Sequence, residues 1–277
     1  MGSRMIAGGA GVLAVVALGG CGHFANKRFS DEHTVTTGVR TVTINGGSGS
    51  VTITGSSPDG SVHVKRHIRY RDRLPGATDT MTGDTLKLDT GCGAACWVDY
   101  ELTTPNAVAV AGHNGSGNIR LTGVATASID VGSGDIRVRG ATGDVSVRTG
   151  SGNITLADVA GNVVTKTGSG DVRLTAISGT TAATTSSGNI DGTALRGGNT
   201  VTHTGSGDVT LRLAAAQNLD ADTGSGNVQI TVPGGQSYQL STSTGSGDQH
   251  LNVPSDAAAD HRLRVHTGSG DITISGS

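Results

Sequence analysis

The sequence predicts an all-β protein, a β-solenoid similar to a parallel β-helix, with two strands in each coil of about 18 residues. The first observation is a motif of Gly-Ser-Gly followed by Asn or Asp, named here the GSG motif. The second is its near-constant spacing, and the third is the alternation of apolar and polar residues between copies. The nine copies begin at Gly115, Gly132, Gly150, Gly168, Ser186, Gly205, Gly224, Gly245 and Gly268.

The segments between motifs have the period-2 pattern of half-buried strands. Ile136-Arg137-Val138 and Ile154-Thr155-Leu156 place aliphatic side chains on one face and polar ones on the other. Glycine suits the corners because it adopts positive φ without strain and lets backbones approach closely. Nine coils stacked about 4.8 Å apart would form a rod of about 43 Å.

The residue after each Gly-Ser-Gly alternates between Asn and Asp until the last copy. The series is Asn118, Asp135, Asn153, Asp171, Asn189, Asp208, Asn227, Asp248 and Asp271. If each coil is one period, these side chains stack, and each Asn amide is placed to donate to the Asp on either side. Duplication of a two-period unit would produce the same alternation, so the sequence leaves both explanations open.

The composition excludes several functional classes. The chain has 277 residues with 46 Gly, six aromatic residues and a net charge of −2. The low net charge provides no basic field for nucleic acid, and so few aromatics argue against base-stacking platforms. We expect no nucleic-acid partner.

The first 21 residues are predicted to be a lipoprotein signal peptide. Arg4 precedes an apolar segment, Met5 to Leu18, that is too short to span a bilayer. Leu18-Gly19-Gly20-Cys21 resembles a bacterial lipobox, in which Cys21 receives diacylglycerol and further acyl chains such as palmitate. An ordinary secretory signal is the alternative. The resemblance implies a lipid anchor at the extracytoplasmic face of the cell membrane.

The remaining chain divides into three predicted segments. Residues 22–38 are a tether, residues 39–110 form an N-terminal β segment that caps the first coil, and residues 111–277 form the solenoid. No cap is evident at the C-terminal end, where an exposed last strand at Ile272 to Ile274 could accept a partner strand.

Cys92 and Cys96 are predicted to form a disulfide, because an even number of cysteines outside the cytoplasm favours pairing. A zinc half-site would need two further ligands. There is no second Cys pair, and His63 and His67 would be about 13 Å apart on a strand. A reactive dithiol remains open.

The segment Val98 to Pro105, leading into the GSG motifs, resembles the DUF4097 β-strand-repeat family of bacterial envelope proteins over roughly residues 40–277. The resemblance implies an exported β-solenoid with an adhesin-like role and provides no catalytic residues to transfer. Ser186 in place of Gly and the two lengthened final repeats depart from the pattern.

No catalytic, metal-binding or cofactor motif occurs in the sequence. Half of the early motif positions are neutral Asn, which disfavours a calcium-binding roll. Arg120, Arg137 and Arg173 share a repeat position and form a basic row, with Arg139 nearby. The row could contact an anionic polymer or lipid headgroups, or could be a solvated face. His203 and His266 are interpreted as surface residues far apart along the rod.

The predicted function is a non-enzymatic, lipid-anchored envelope module that acts as an adhesin, scaffold or interaction surface. Its expected partners are the membrane, a cell-wall or surface polymer, or another envelope protein. A polysaccharide-acting solenoid enzyme is the main alternative, and a calcium-binding β-roll is the weaker one.

Overall fold

The computed structural model describes residues 26–36 and 38–277. The predicted signal peptide, Cys21 and the first part of the predicted tether therefore lie outside the described residues. Within the described ranges, no helix has the length and apolar character needed to cross a bilayer.

Seven strands precede the first GSG motif. They are β1 (Lys27–Val35), β2 (Thr41–Asn45), β3 (Val51–Gly55), β4 (Val62–Tyr70), β5 (Asp79–Thr82), β6 (Thr85–Asp89) and β7 (Trp97–Thr104).

Eighteen further strands form the repeat, two for each GSG motif. The first ten are β8 (Ala109–Ser116), β9 (Ile119–Thr122), β10 (Thr126–Ser133), β11 (Ile136–Ala141), β12 (Val145–Ser151), β13 (Ile154–Val159), β14 (Val163–Ser169), β15 (Val172–Ile177), β16 (Thr181–Ser187) and β17 (Ile190–Leu195). The last eight are β18 (Asn199–Ser206), β19 (Val209–Leu213), β20 (Asn218–Ser225), β21 (Val228–Val232), β22 (Gln239–Thr244), β23 (Gln249–Asn252), β24 (Arg262–Ser269) and β25 (Ile272–Gly276).

The strands form two sheets that face each other across an aliphatic core. The 13-stranded sheet, sheet A, runs β1-β4-β7-β3-β9-β11-β13-β15-β17-β19-β21-β25-β23, and the 12-stranded sheet, sheet B, runs β22-β24-β20-β18-β16-β14-β12-β10-β8-β2-β6-β5. Ile136 lies opposite Ile119 on one side and Ile154 on the other, all three fully buried. The predicted parallel solenoid with stacked motifs is confirmed.

The glycine at the third position of each motif is required by the stacking. Gly170 has φ of +141°, and a Cβ at this position would lie 2.1 Å from the carbonyl oxygen of Gly152 in the preceding coil. Only glycine fits such a contact. Ser186 occupies the first motif position, where the other eight copies have glycine.

Each Asn or Asp after the motif, except Asp248 in the last coil, accepts a hydrogen bond from the next coil. The backbone N–H of Asp171 donates to Oδ1 of Asn153 at 2.9 Å, and that of Asn189 donates to Oδ1 of Asp171 at 3.0 Å. The series begins before the repeat, because Ser50 N–H donates to Oδ1 of Asp99 at 2.7 Å. We call this series the oxygen ladder.

A second ladder uses the threonine that precedes the motif. The hydroxyl of Thr167 donates to the carbonyl oxygen of Gly152 at 2.9 Å, and that of Thr185 donates to Gly170 O at 3.1 Å. In the first GSG coil Asn114 takes this place and donates through Nδ2 to Gly49 O at 2.8 Å. Both ladders tie the motif corners of successive coils together.

At the C-terminal end the coils are not stacked in sequence order. Strands β24 and β25 pair with β20 and β21, while β22 and β23 lie outside them as the last coil. The inward-facing residues explain why β24 and β25 stack before β22 and β23. Leu263 and Val265 of β24 are fully buried, whereas β22 presents Thr242 opposite Val265. The aliphatic coil is covered on both sides, and the more polar coil lies at the end. The prediction that the final strand is exposed is therefore wrong.

The N-terminal end also differs from the predicted boundaries. Strands β2 and β3 pair in parallel with β8 and β9, so residues 41–55 already form a solenoid coil. Residues 27–35, predicted as part of a tether, form β1, which pairs antiparallel with β4. This strand was missed because its inward residues include Asp31 and His33, which do not give the apolar alternation of a half-buried strand.

Candidate functional site: a polar groove on the outer face of sheet A

A polar cluster closes the interior at the N-terminal end, where β1, β4 and β7 approach β5 and β6. Arg66 on β4 points inward, donates through Nε to Oδ1 of Asp31 at 2.8 Å and lies 3.3 Å from a carboxylate oxygen of Asp79. Nε2 of His33 lies 2.9 Å from the same Asp79 carboxylate, and the Tyr100 hydroxyl donates to Thr78 O at 2.6 Å. Because these groups bond to one another, the charges that close this end of the core are paired and hydrogen-bonded.

The environment shifts the pKa values within this cluster. The hydrogen bond to Asp79 raises the pKa of His33 above its usual value, with burial acting in the opposite direction. Burial opposes the charge on Arg66, but the bond and the charge of Asp31 outweigh it and raise the pKa. Burial raises the pKa of the Tyr100 hydroxyl, so it remains a neutral donor.

A concavity lies on the outer face of sheet A, close to this cluster. It has a volume of about 910 Å³ and is open along one side. It begins where the antiparallel strands β1, β4 and β7 meet the parallel strands β3 and β9. We call it the sheet A groove.

The register of the strands places the groove residues in two rows. One row carries charge in the order Glu32, Lys65, Glu101, Thr52 and Arg120. The adjacent row carries mainly hydroxyl groups, in the order Thr34, His63, Thr103, Thr54 and Thr122. Charges and hydroxyls on neighbouring rows suit a polar, extended ligand.

Most of the charges in the groove have partners within the chain. Nζ of Lys65 lies 3.8 Å from Oε2 of Glu101, and Nε2 of His67 lies 3.6 Å from Oε1. His63 contacts the Thr34 hydroxyl at 3.2 Å and the Asp59 carboxylate at 3.4 Å. The hydrogen bond from Ser57, followed by those from Ser61, holds the pKa of Asp59 below its usual range.

The four predicted arginines lie on the outer face of sheet A, but three of them are paired with acids. Arg137 lies 2.9 Å from Asp135, and Arg139 lies 3.1 Å from Asp158. Arg173 lies 3.1 Å from Asp171 and 3.7 Å from Asp191. The predicted row is therefore largely neutralised by neighbouring carboxylates.

Arg120 differs from the other three. It lines the sheet A groove, its side chain is exposed, and it makes no ion pair with any described residue. Arg137 continues the same row one coil further along. An anionic group entering the groove would therefore meet an available guanidinium at Arg120.

The structure contains a disulfide between Cys92 and Cys96, with the Cα atoms 5.1 Å apart. It closes a short loop between β6 and β7, next to the point where Gly91 packs against Gly47. Both cysteines are partly buried.

His203 and His266 are closer together than predicted. Because β24 pairs with β20, Asp222 lies between them in register, two coils apart in total. Nδ1 of His203 lies 2.8 Å from Oδ1 of Asp222, and His266 contacts the Ser243 hydroxyl. Among the described residues, no group of three or more His, Cys, Asp or Glu side chains is arranged to hold a metal ion.

Several groove residues were not identified from the sequence, among them Glu32, Glu101 and Thr103. The alternation in Val51-Thr52-Ile53-Thr54 does indicate outward hydroxyls. The groove itself depends on the pairing of β1 and β4 with β7, which joins distant segments and leaves no periodic signal.

Comparison with known proteins identifies the family. A family model described as Toastrack DUF4097 matches residues 106–275. No protein with a curated description matches at a significant level.

Two solved structures are similar to the chain. A "putative cell adhesion protein" from Clostridium sporogenes is 11% identical, with 91% of this chain and 100% of that chain covered and a TM-score of 0.30. A "putative adhesin" from Bacteroides fragilis is 16% identical, with 91% and 98% covered and a TM-score of 0.41. Because the family model spans more than half of this sequence, the chain belongs to the Toastrack DUF4097 family.

Proposed function

We propose that this protein is a non-enzymatic, lipid-anchored envelope module whose sheet A groove binds an anionic, hydroxyl-rich polymer of the cell envelope. The observation that carries the proposal is the exposed Arg120 at one end of the groove, next to rows of hydroxyl and charged groups. A solenoid suits this task, since it holds side chains at a fixed spacing of about 4.8 Å along a rigid surface.

The groove supports binding better than catalysis. Glu32 and Glu101 both line it, but both carboxylates are exposed, and Glu101 is ion-paired with Lys65 and His67. The pKa of a carboxylic general acid is usually raised by burial, and neither of these carboxylates is buried. If the protein cleaved polysaccharide, Glu32→Gln and Glu101→Gln would abolish turnover. We expect no turnover in the unaltered protein.

Binding can be measured with soluble polygalacturonate as an anionic polysaccharide probe. We expect Arg120→Glu to weaken binding by about ten-fold, the loss of one charge-assisted contact. The matched control is Arg212→Glu, an exposed arginine on the same outer face, five strands further along sheet A. Equal binding by both variants and the unaltered chain would contradict a role for the groove.

The anchor is tested separately. Cys21→Ser should release the protein from membranes, because one polar substitution removes the acyl attachment. Fractionation of cells and labelling of Cys21 with a radiolabelled fatty acid would measure this. Unchanged membrane retention of Cys21→Ser would contradict lipidation without affecting the assignment of the groove.

A further inference from the structure

We propose that the terminal coil β22–β23 is an interface at which two copies of this chain pair end to end. The proposal concerns the end of the solenoid opposite the N-terminal cluster and does not depend on the sheet A groove or on its ligand.

Both sheets end at this coil. Pro254 and Asp256 bond to Tyr238 just before β22, and β22 and β23 themselves have no outer partner strand among the described residues. Within the described residues, β22 pairs only with β24, and β23 pairs only with β25. Successive residues of a parallel strand bond to opposite sides. Since the N–H groups of Gln239 and Gly245 donate to His261 O and Thr267 O, the alternate N–H groups, those of Leu240, Thr242 and Thr244, point away from the solenoid.

The same alternation holds in β23. Asp248 accepts from Ile272 through its carbonyl oxygen, so Gln249 and Leu251 direct their backbone groups outward. All four residues of β23 are exposed, and Leu251 is one of four large apolar side chains exposed in the described chain. An unpaired strand of this kind is a template for another strand.

These two strands lack the usual protection of a sheet edge. Neither β22 nor β23 contains Lys, Arg, Asp, Glu or Pro. By contrast, the edge strand β1 at the other end carries Lys27, Arg28, Asp31 and Glu32. Native edges are normally blocked by such charges, so the difference between the two ends indicates that the C-terminal edge is available for pairing.

The end of the core offers uncharged hydrogen-bonding groups. The Thr242 hydroxyl donates to Oε1 of Gln249 at 2.6 Å across the mouth of the last coil. The strands β22 and β23 themselves place no like charges opposite each other when two copies approach.

The geometry favours a second copy over a single peptide strand. Strands β22 and β23 belong to opposite sheets, about 10 Å apart, so one extended peptide could cover only one edge. A two-fold axis perpendicular to the rod pairs β22 with β22 and β23 with β23, antiparallel, and satisfies both edges at once. At the other end of the solenoid, β1 pairs antiparallel with β4 and carries charged residues, so we expect assembly to stop at two copies.

The test is sedimentation equilibrium of the full chain in density-matched detergent. We expect a dimer whose dissociation constant rises about ten-fold or more in Leu251→Lys. The matched control is Val164→Lys, a change at another exposed apolar residue, 42% exposed, in the middle of sheet B. This control should leave the dimer unchanged.

Hydrogen exchange of the unaltered protein provides a readout that needs no variant. The amides of Leu240, Thr242 and Leu251 should exchange more slowly as the protein concentration rises. A monomer at about 100 μM, where even weak specific pairs associate, would overturn the proposal. A dimer that is insensitive to Leu251→Lys, with no added protection at these amides, would overturn it as well. Arg120→Glu should leave the dimer intact, which separates this proposal from the one on ligand binding.

Discussion

The Oδ1 atom of Asp135 accepts a hydrogen bond of 2.9 Å from the backbone N–H of Asn153, one coil further along the solenoid. This bond, followed by that from Arg137, holds the pKa of Asp135 below its usual value. The oxygen ladder needs only a short side chain with an acceptor, which explains why Asn and Asp share the position. The predicted donation from an Asn amide to an Asp carboxylate is present at one rung, where Nδ2 of Asn153 donates to Oδ1 of Asp135 at 3.4 Å.

Asn153→Ala should destabilise the protein by about 1 kcal/mol, because the backbone N–H of Asp171 loses its acceptor. Asn153→Ser should cost less, since the Ser50 hydroxyl already accepts such a bond from Asn118. Asn153→Asp keeps the acceptor but places three carboxylates in succession, at about 1 kcal/mol of repulsion per neighbour in water. Urea unfolding at low and high salt would measure all three. Equal stability of the Ala and Ser variants would contradict the acceptor role.

The glycine at the third position of the motif should tolerate substitution least. Gly170→Ala forces a side chain into positive φ and against the Gly152 carbonyl, so we expect a loss of about 3 kcal/mol or more. The matched control is Gly168→Ser, because Ser186 occupies that motif position in the next coil. Urea denaturation of both variants provides the comparison. A Gly168→Ser variant as unstable as Gly170→Ala would show that positive φ is not the cause.

The repeating half of the fold could be predicted because each GSG coil contains the same local signals. The motif spacing and the alternation in segments such as Ile136 to Val138 determine the strands, the corners and the buried face. The order of the last two coils could not be predicted in this way, since both contain the GSG motif. The order of these coils depends on the difference in free energy between two stackings. One stacking covers Leu263 and Val265, and the other covers Thr242 and Gln249.

The groove could be predicted only in part. Arg120 was selected with Arg137 and Arg173 from their shared position in the repeat. Whether each arginine can bind a ligand depends on the acidic residue two positions before it. Asp135 pairs with Arg137, and Asp171 pairs with Arg173. The motif before Arg120 has Asn118 in that place, so no carboxylate reaches it from its own coil. The alternation of Asn and Asp in the sequence therefore indicates which of these arginines has an acidic partner in its own coil.

The N-terminal cluster should become less stable as the pH rises above about 6.5. His33 has a raised pKa in the folded state because of Asp79, so its contribution is complete below the unfolded pKa of about 6.5 and is lost as the pH rises through the folded value. Hydrogen exchange of β1 and β4 as a function of pH would follow the change. His33→Gln should remove this dependence, and a variant that retains it would assign the titration to another group.

Reduction of the disulfide should have a local effect and a modest cost. Cys92 and Cys96 are four positions apart, so the bond removes little entropy from the unfolded chain, about 2 kcal/mol by the loop-closure relation. The double variant Cys92→Ser with Cys96→Ser should lower the free energy of unfolding by that amount or less. It should leave the exchange rates of coils beyond β10 unchanged, since each coil contacts mainly its neighbours. Thermal unfolding with and without reductant checks the magnitude, and the double variant itself should show no response to reductant. Loss of protection throughout the solenoid would instead mean that the loop between β6 and β7 supports folding of the entire stack.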